Sequence, residues 1–117
     1  MQPEERDPAH LWDMLESAKE VEAMMAGRAL EAFLANRMLL RAIERSVEII
    51  GEAARRVSKP YQEAHPEIPW RKIIGQRNIL VHEYGQIDHE ILFKTARDDI
   101  PALISQIEEL LPPLEDK

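Results

Sequence analysis

The stretch RNILVHEYG, residues 77–85, carries a guanidinium, an amide, an imidazole and a phenol among apolar neighbours. An unpaired polar group held out of water costs roughly 1–3 kcal/mol, so a buried segment normally avoids such side chains. The apolar triplet at residues 79–81 gives the stretch a side that can face a core. Its polar side chains therefore either pair with one another or face a cleft, and we expect a site held on a rigid element.

The residues at the two ends of this region predict that the element is a helix. Pro69 suits the first turn of a helix, and Gly85 suits the position just past its end. At about 100° per residue, Asn78 and His82 nearly share a face, whereas Arg77 and His82 diverge by about 140°. This divergence argues against a pair within one helix, unless the helix frays at His82 or a second subunit brings its own Arg beside it.

Apolar residues at helical spacing extend over most of the remaining chain. One helix is expected to begin near Asp7, which would act as its cap, and to end at Gly27. A long helix should follow from about residue 29 to 58. A last helix should run from about residue 88 to 111, with a kink at Pro101.

The long helix carries an apolar seam whose members recur at alternating steps of three and four residues. The seam suits antiparallel packing within the chain or contact with a partner subunit. Its members are Leu40, Ile43, Val47, Ile50, Ala54 and Val57. Together these patterns predict an all-α fold, an up-and-down bundle of four to six helices. The length predicts a single domain over residues 1–117, with loose tails at 1–7 and 112–117.

Composition narrows the class of protein further. The absence of cysteine excludes disulfides and thiolate metal sites. No apolar run approaches the ~18 residues that a membrane span needs, and no signal-peptide pattern is present, so we expect a cytoplasmic protein. His10, His65 and His89 share no spacing with metal-ligand patterns, so neither a metal nor another cofactor is expected.

The net charge of −7 argues at first against a nucleic-acid partner, but the charge is unevenly distributed. Residues 28–77 hold ten Lys or Arg against six Glu, whereas the rest of the chain holds five basic against sixteen acidic residues. A basic middle inside an acidic shell can bind a phosphate chain locally. The alternative is an ordinary solvated helix face.

Arg77 and His82 are the residues that suggest chemistry. An imidazole near a helix C-terminus can carry a proton close to pH 7, and an Arg keeps a fixed charge that can clamp a phosphate. Together they match metal-free RNA cleavage, in which a ribose 2′-hydroxyl attacks the neighbouring phosphorus. The alternative is that both side chains cap carbonyls and pair with Glu48 or Glu52.

A longer string around the motif is more specific. The string PWRKIIGQRNILVHEY, residues 69–84, closely resembles the hallmark of the HepT-like branch of the HEPN superfamily. The tripeptide at 13–15 and the segment ERSVEIIGEAARR at 44–56 support the resemblance, which covers about residues 6 to 111.

The resemblance implies an all-helical, two-fold dimeric, metal-independent endoribonuclease with a composite site at the dimer interface. Arg77 and His82 match the catalytic pair of the family and Asn78 the supporting polar residue. Tyr84 matches the acceptor of AMP groups, which a partner nucleotidyltransferase transfers. The implied setting is the toxin component of a type VII-like toxin–antitoxin pair, with RNA as substrate and the small nucleotidyltransferase as antitoxin. The alternative for Tyr84 is a half-buried aromatic at a helix end.

Other residues admit two interpretations each. The arginines at four-residue steps, Arg37, Arg41 and Arg45, either guide an RNA backbone or form solvated surface. Trp70 is expected in the core, with stacking on an RNA base as the other option. For the whole chain, the alternatives to a toxin are a non-catalytic module that docks a nucleotidyltransferase and a plain dimerisation bundle.

Overall fold

The computed structural model describes the backbone of residues 3–82 and 88–111 and the side chains of residues 5–76 and 88–111. Seven α-helices lie in these ranges, and no strand does. They are α1 (Asp7–Met25), α2 (Leu30–Ala35), α3 (Arg37–Arg56), α4 (Lys59–Ala64), α5 (Trp70–His82), α6 (His89–Lys94) and α7 (Ile100–Leu110). A 3₁₀ turn (Pro3–Arg6) precedes α1, and a π-helical turn (Thr95–Asp99) joins α6 to α7. The predicted all-α helical bundle is confirmed.

Helix α3 is the centre of the bundle, because α1 and α5 both pack along it while α7 packs against α1. The whole apolar seam predicted on the long helix is buried inside the chain, from Leu40 to Val57. Ile43 is fully buried and Ile50 is 2% exposed. The choice left open by the sequence is therefore settled: the seam is intramolecular core, and its use by a partner subunit is excluded.

The predicted long helix is interrupted at Asn36, which separates α2 from α3. Asn36 has extended backbone angles (φ −108°, ψ 96°), and its Oδ1 accepts a hydrogen bond from the backbone N–H of Leu39 at 3.0 Å. An Asn side chain competes with helical backbone bonds in this way and caps a new helix instead. The expectation of one helix from residue 29 to 58 was wrong for this reason.

The expected irregularity near Pro101 takes the form of a π-helical turn. Pro101 lies in the first turn of α7, directly after Thr95–Asp99. A proline lacks the N–H that an α-helix interior uses, and its ring clashes with the carbonyl four residues earlier. A wider turn relieves that clash while α6 and α7 continue as one rod.

Asp7 does not cap α1 as expected, because it lies inside the first turn of the helix and is 1% exposed. Its Oδ1 accepts from the backbone N–H of Ser58 at 2.8 Å, and its Oδ2 accepts from the Ser58 hydroxyl at 2.7 Å. Ser58 is itself the cap of α4, where its Oγ accepts from the N–H of Tyr61. Burial, followed by the charges of Asp7 and Glu67, raises the pKa of Tyr61.

Within the described ranges, no helix combines the length and the apolar character that a membrane crossing requires.

Asp7→Ala should lower the free energy of unfolding by about 2–3 kcal/mol, because it removes a charged acceptor and leaves the Ser58 N–H buried without a partner. Urea unfolding followed by circular dichroism measures the change. Asp7→Asn keeps an acceptor for that N–H and should lose less, and Asp13→Ala, at an exposed site on the same helix, should change little. An unfolding midpoint for Asp7→Ala equal to that of wild type would contradict this account.

Candidate active site

The predicted catalytic residues lie on the last turns of α5. The backbone of Arg77 and Asn78 is helical, and His82 is the last residue of the helix. Their side chains lie outside the described residues, as does all of Tyr84. The roles assigned to these four residues therefore stay predictions, and what the structure adds is the element that carries three of them.

The helical backbone through His82 bears on how Arg77 and His82 could meet. Because α5 continues to His82, the two backbone positions are separated by about 140° around one helix axis. The sequence left open whether the helix frays at His82. In the structure, α5 is helical up to and including His82. A joint site of the two residues within a single α5 is therefore disfavoured.

The start of α5 is anchored by Trp70, whose side chain is buried. Its indole Nε1–H donates to the backbone carbonyl of His65 at 2.9 Å, and the residue is 7% exposed. An indole that is buried and hydrogen-bonded in this way offers little surface to an RNA base. Of the two interpretations of Trp70, the core interpretation is confirmed.

The middle of α5 is tied to the π-helical turn by two polar contacts in register. Lys72 Nζ lies 2.8 Å from Asp99 Oδ2, and Gln76 Nε2 donates to Thr95 Oγ1 at 2.8 Å. Lys72 and Gln76 are four residues apart on α5, and Thr95 and Asp99 are four residues apart on the π-helical turn. The two contacts therefore fix the axial position of α5 at two successive turns. The second contact lies immediately before Arg77.

The segment that follows α5 is bracketed on its other side by a second set of contacts. Asp88 Oδ1 accepts from the backbone N–H of Glu90 at 2.9 Å and of Ile91 at 3.2 Å, which caps α6. The ring Nε2 of His89 lies 3.0 Å from Glu44 Oε2 on α3. The described contacts thus hold α5 at Lys72 and Gln76, and α6 at its first residues.

Sequence reasoning missed these positioning residues. Gln76 and Thr95 are separated by 19 positions, and Glu44 and His89 by 45. No spacing within one helix relates such pairs. A polar Gln76 close to the apolar residues of α5 was the one available signal, because a half-buried amide needs a partner.

The three arginines predicted to contact RNA, Arg37, Arg41 and Arg45, are all exposed on α3. The side chains of Arg45 and Glu48 pair at 3.2 Å, and those of Arg56 and Glu52 pair at 3.1 Å. Glu48 and Glu52 thus each pair with an arginine of their own helix. Contact of the three arginines with RNA stays a prediction.

The histidines outside the motif have other neighbours. His65 Nδ1 lies 3.4 Å from Glu67 Oε2, and its ring centroid lies 4.3 Å from that of Tyr61. Among the side chains that the structure describes, no three His, Asp or Glu residues are grouped so that they could hold a metal ion.

Comparison with known proteins gives a consistent result. The family model for "Ribonuclease HepT-like" proteins matches residues 14–110. A protein of Methanocaldococcus jannaschii named "Putative RNase" is 38% identical over 100 residues, 86% of this chain and 92% of its own. A protein of Thermococcus cleftensis named "Probable ribonuclease HepT" is 36% identical, over 86% of this chain and 92% of its own. No solved structure matches the chain.

These matches place the chain among all-α enzymes that cleave RNA. More narrowly, the chain belongs to the ribonuclease HepT-like family, because the family model covers most of its length and the relatives align over nearly all of theirs.

Glu44→Ala should reduce RNA cleavage about tenfold, because it releases the start of α6 and with it one end of residues 83–87. The stability cost should stay below about 1 kcal/mol, since the pair with His89 is partly exposed to solvent. Glu48→Ala is the matched control, because Glu48 lies one turn further along α3 and pairs with Arg45. Cleavage is measured on a fluorescent RNA. Equal losses of cleavage in the two variants would contradict the role of the Glu44–His89 contact in positioning the site.

Proposed function

We propose that the protein is a metal-independent endoribonuclease and the toxin of a HEPN/nucleotidyltransferase toxin–antitoxin pair. The observation that carries the proposal is the arrangement R-N-x₃-H, residues 77–82, on the last turns of α5 in a chain of the HepT-like family. Membership of the family supports RNA cleavage, and the chemistry of Arg, Asn and His side chains supports a mechanism for it.

In the proposed reaction, His82 takes the proton from a ribose 2′-hydroxyl. The 2′-oxygen then attacks the adjacent phosphorus, the P–O5′ bond breaks, and a protonated imidazole gives a proton to the leaving 5′-oxygen. The products are a 2′,3′-cyclic phosphate and a 5′-hydroxyl, so no water or metal enters this step. Arg77 would stabilise the charge on the phosphoryl oxygens, and Asn78 would support it by hydrogen bonding.

The helical course of α5 supports a site shared by two copies of the chain. The backbone positions of Arg77 and His82 are separated by about 140° around one helix axis, so a two-fold dimer that pairs Arg77 of one chain with His82 of the other would bring them together. The apolar seam of α3 is buried inside the chain, so such a dimer would form through other surfaces.

Neutralisation would act through Tyr84, the proposed acceptor of AMP from the nucleotidyltransferase. An AMP group two residues from His82 places a phosphate close to the site. Its negative charge would compete for Arg77 and repel the phosphate of an RNA substrate.

His82→Ala should reduce cleavage by about 10²–10⁴-fold, the range that general acid–base catalysis contributes. The measurement is cleavage of a fluorescent RNA in the presence of EDTA, and wild type should retain activity there. His65→Ala is the control, because His65 is paired with Glu67 away from the motif. If wild type cleaves no RNA and does not slow growth when expressed alone, the chain is instead a non-catalytic module that docks a nucleotidyltransferase.

A composite site predicts complementation between two inactive variants. Arg77→Ala and His82→Ala, co-expressed so that subunits mix, should regain roughly a quarter of wild-type cleavage, because half the dimers are mixed and each mixed dimer holds one intact site. Each variant alone stays inactive. No recovery in a mixture that light scattering shows to be dimeric would exclude the shared site while leaving His82 and Arg77 as catalytic residues.

A further inference from the structure

A large open concavity in the described part of the chain lies away from the motif. It is a groove of about 950 Å³ between α4 and the N-terminal half of α5. Its lining includes Lys59, Gln62, Glu63, Arg71, Ile74 and Gly75. Sequence reasoning gave this surface no role.

The charge of the groove comes from two cations without an internal partner. Lys59 and Arg71 are exposed, and neither has an ion pair or hydrogen bond with any side chain that the structure describes. The third basic residue, Lys72, is neutralised by Asp99 at 2.8 Å. Glu63 is the acid among the lining residues. Unpaired Lys and Arg side chains beside a groove favour an anionic occupant, and the Arg fork matches the geometry of a phosphate.

Gly75 has no explanation within the chain. A glycine destabilises a helix interior relative to alanine, so it needs a reason to be there. A Cβ built on Gly75 would meet no described atom within 4 Å, whereas Gly27 has a φ of +68° that accounts for it. Open space in front of a helical glycine, inside a groove flanked by cations, suits the close approach of a ligand.

The helix register connects the groove to the catalytic positions. Residues 71, 75, 78 and 82 are separated by steps of four, three and four, so they fall on one stripe of α5. The stripe is about 16 Å long at 1.5 Å per residue, which is a span of a few nucleotides. A strand lying along this stripe passes from the groove to the backbone positions of Asn78 and His82.

We infer that the α4–α5 groove is the path of the single-stranded RNA substrate away from the scissile phosphate. Lys59 and Arg71 bind its phosphates, and Gly75 lets the strand lie close to α5. The inference rests on the proposed function, since it takes the site at Arg77 and His82 as the point of cleavage. It adds the surface that binds the rest of the strand.

The test is the salt dependence of binding to a 2′-O-methyl RNA oligonucleotide, which lacks the attacking hydroxyl and is not cleaved. Fluorescence anisotropy gives the Kd over a range of salt concentrations. For Lys59→Ala/Arg71→Ala, the slope of log K against log salt should fall in magnitude by about 1.4, since each phosphate contact to a single strand contributes about 0.7. The control is Lys19→Ala/Arg28→Ala, which removes one Lys and one Arg outside the groove and should leave the slope unchanged.

The variant Gly75→Ala distinguishes an effect on RNA binding from an effect on the stability of the fold. The substitution should raise the urea midpoint of unfolding, because alanine favours the helix, and it should raise the Kd for the same RNA several-fold, because the methyl group occupies the space of the strand. Tighter folding with unchanged RNA binding would overturn the role of Gly75.

Cleavage of a dinucleotide distinguishes failure of this inference from failure of the proposed function. A dinucleotide is too short to span from the motif to the groove, so the groove variants should cleave it at the wild-type rate while losing activity on longer RNA. If wild type cleaves neither substrate, the proposed function fails, and the binding slopes still decide the path of the strand. Equal slopes for the groove and control variants overturn the inference. A change of mass in light scattering without a change in RNA affinity would also overturn it, by making the groove an interface between copies.

Discussion

The fixed register of α5 against the C-terminal rod is the constraint on which the candidate site depends. It arises from Pro101, which cannot continue a regular α-helix behind it. The chain takes a π-helical turn there, and Thr95 and Asp99 of that turn bind Gln76 and Lys72. These two contacts add to the packing of α5 along α3, which is the larger contact of the motif helix. The wider turn is therefore a positioning device as well as a response to strain.

The apolar interior places a second limit on the site. Helix α3 buries its entire seam between α1 and α5, so the chain satisfies its largest hydrophobic surface without a partner. Any association of two copies then depends on surface outside that seam, where shape and paired charges decide affinity more than buried area does.

The elements that sequence predicted well are those governed by local periodicity. The seam of α3, the burial of Trp70 and the helix that carries Arg77 follow from spacing and from proline positions alone. The failures involve side chains whose hydrogen bonds to another residue change where a helix begins or ends. Asp7 binds Ser58 across 51 positions instead of capping its own helix, and Asn36 ends one helix to begin another. Both are short polar side chains with two competing uses, and only tertiary packing selects between them.

The groove escaped prediction for a different reason, because a solvated cation and an RNA-binding cation look the same in sequence. The structure shows which cations have an acidic partner among the described side chains, and Arg37 and Arg41 on α3 have none. Arg45, Arg56 and Lys72 are each paired with an acid close by, so their fields are largely cancelled. Lys59 and Arg71 have no such acidic partner among the described side chains. At physiological salt the charge of a group is screened beyond about 8 Å, so acids far from the groove do not cancel theirs, and Glu63 is the one acid among the described lining residues. A net charge of −7 is thus compatible with a nucleic-acid substrate, and it would also confine the strand to the few places where a cation is left unpaired.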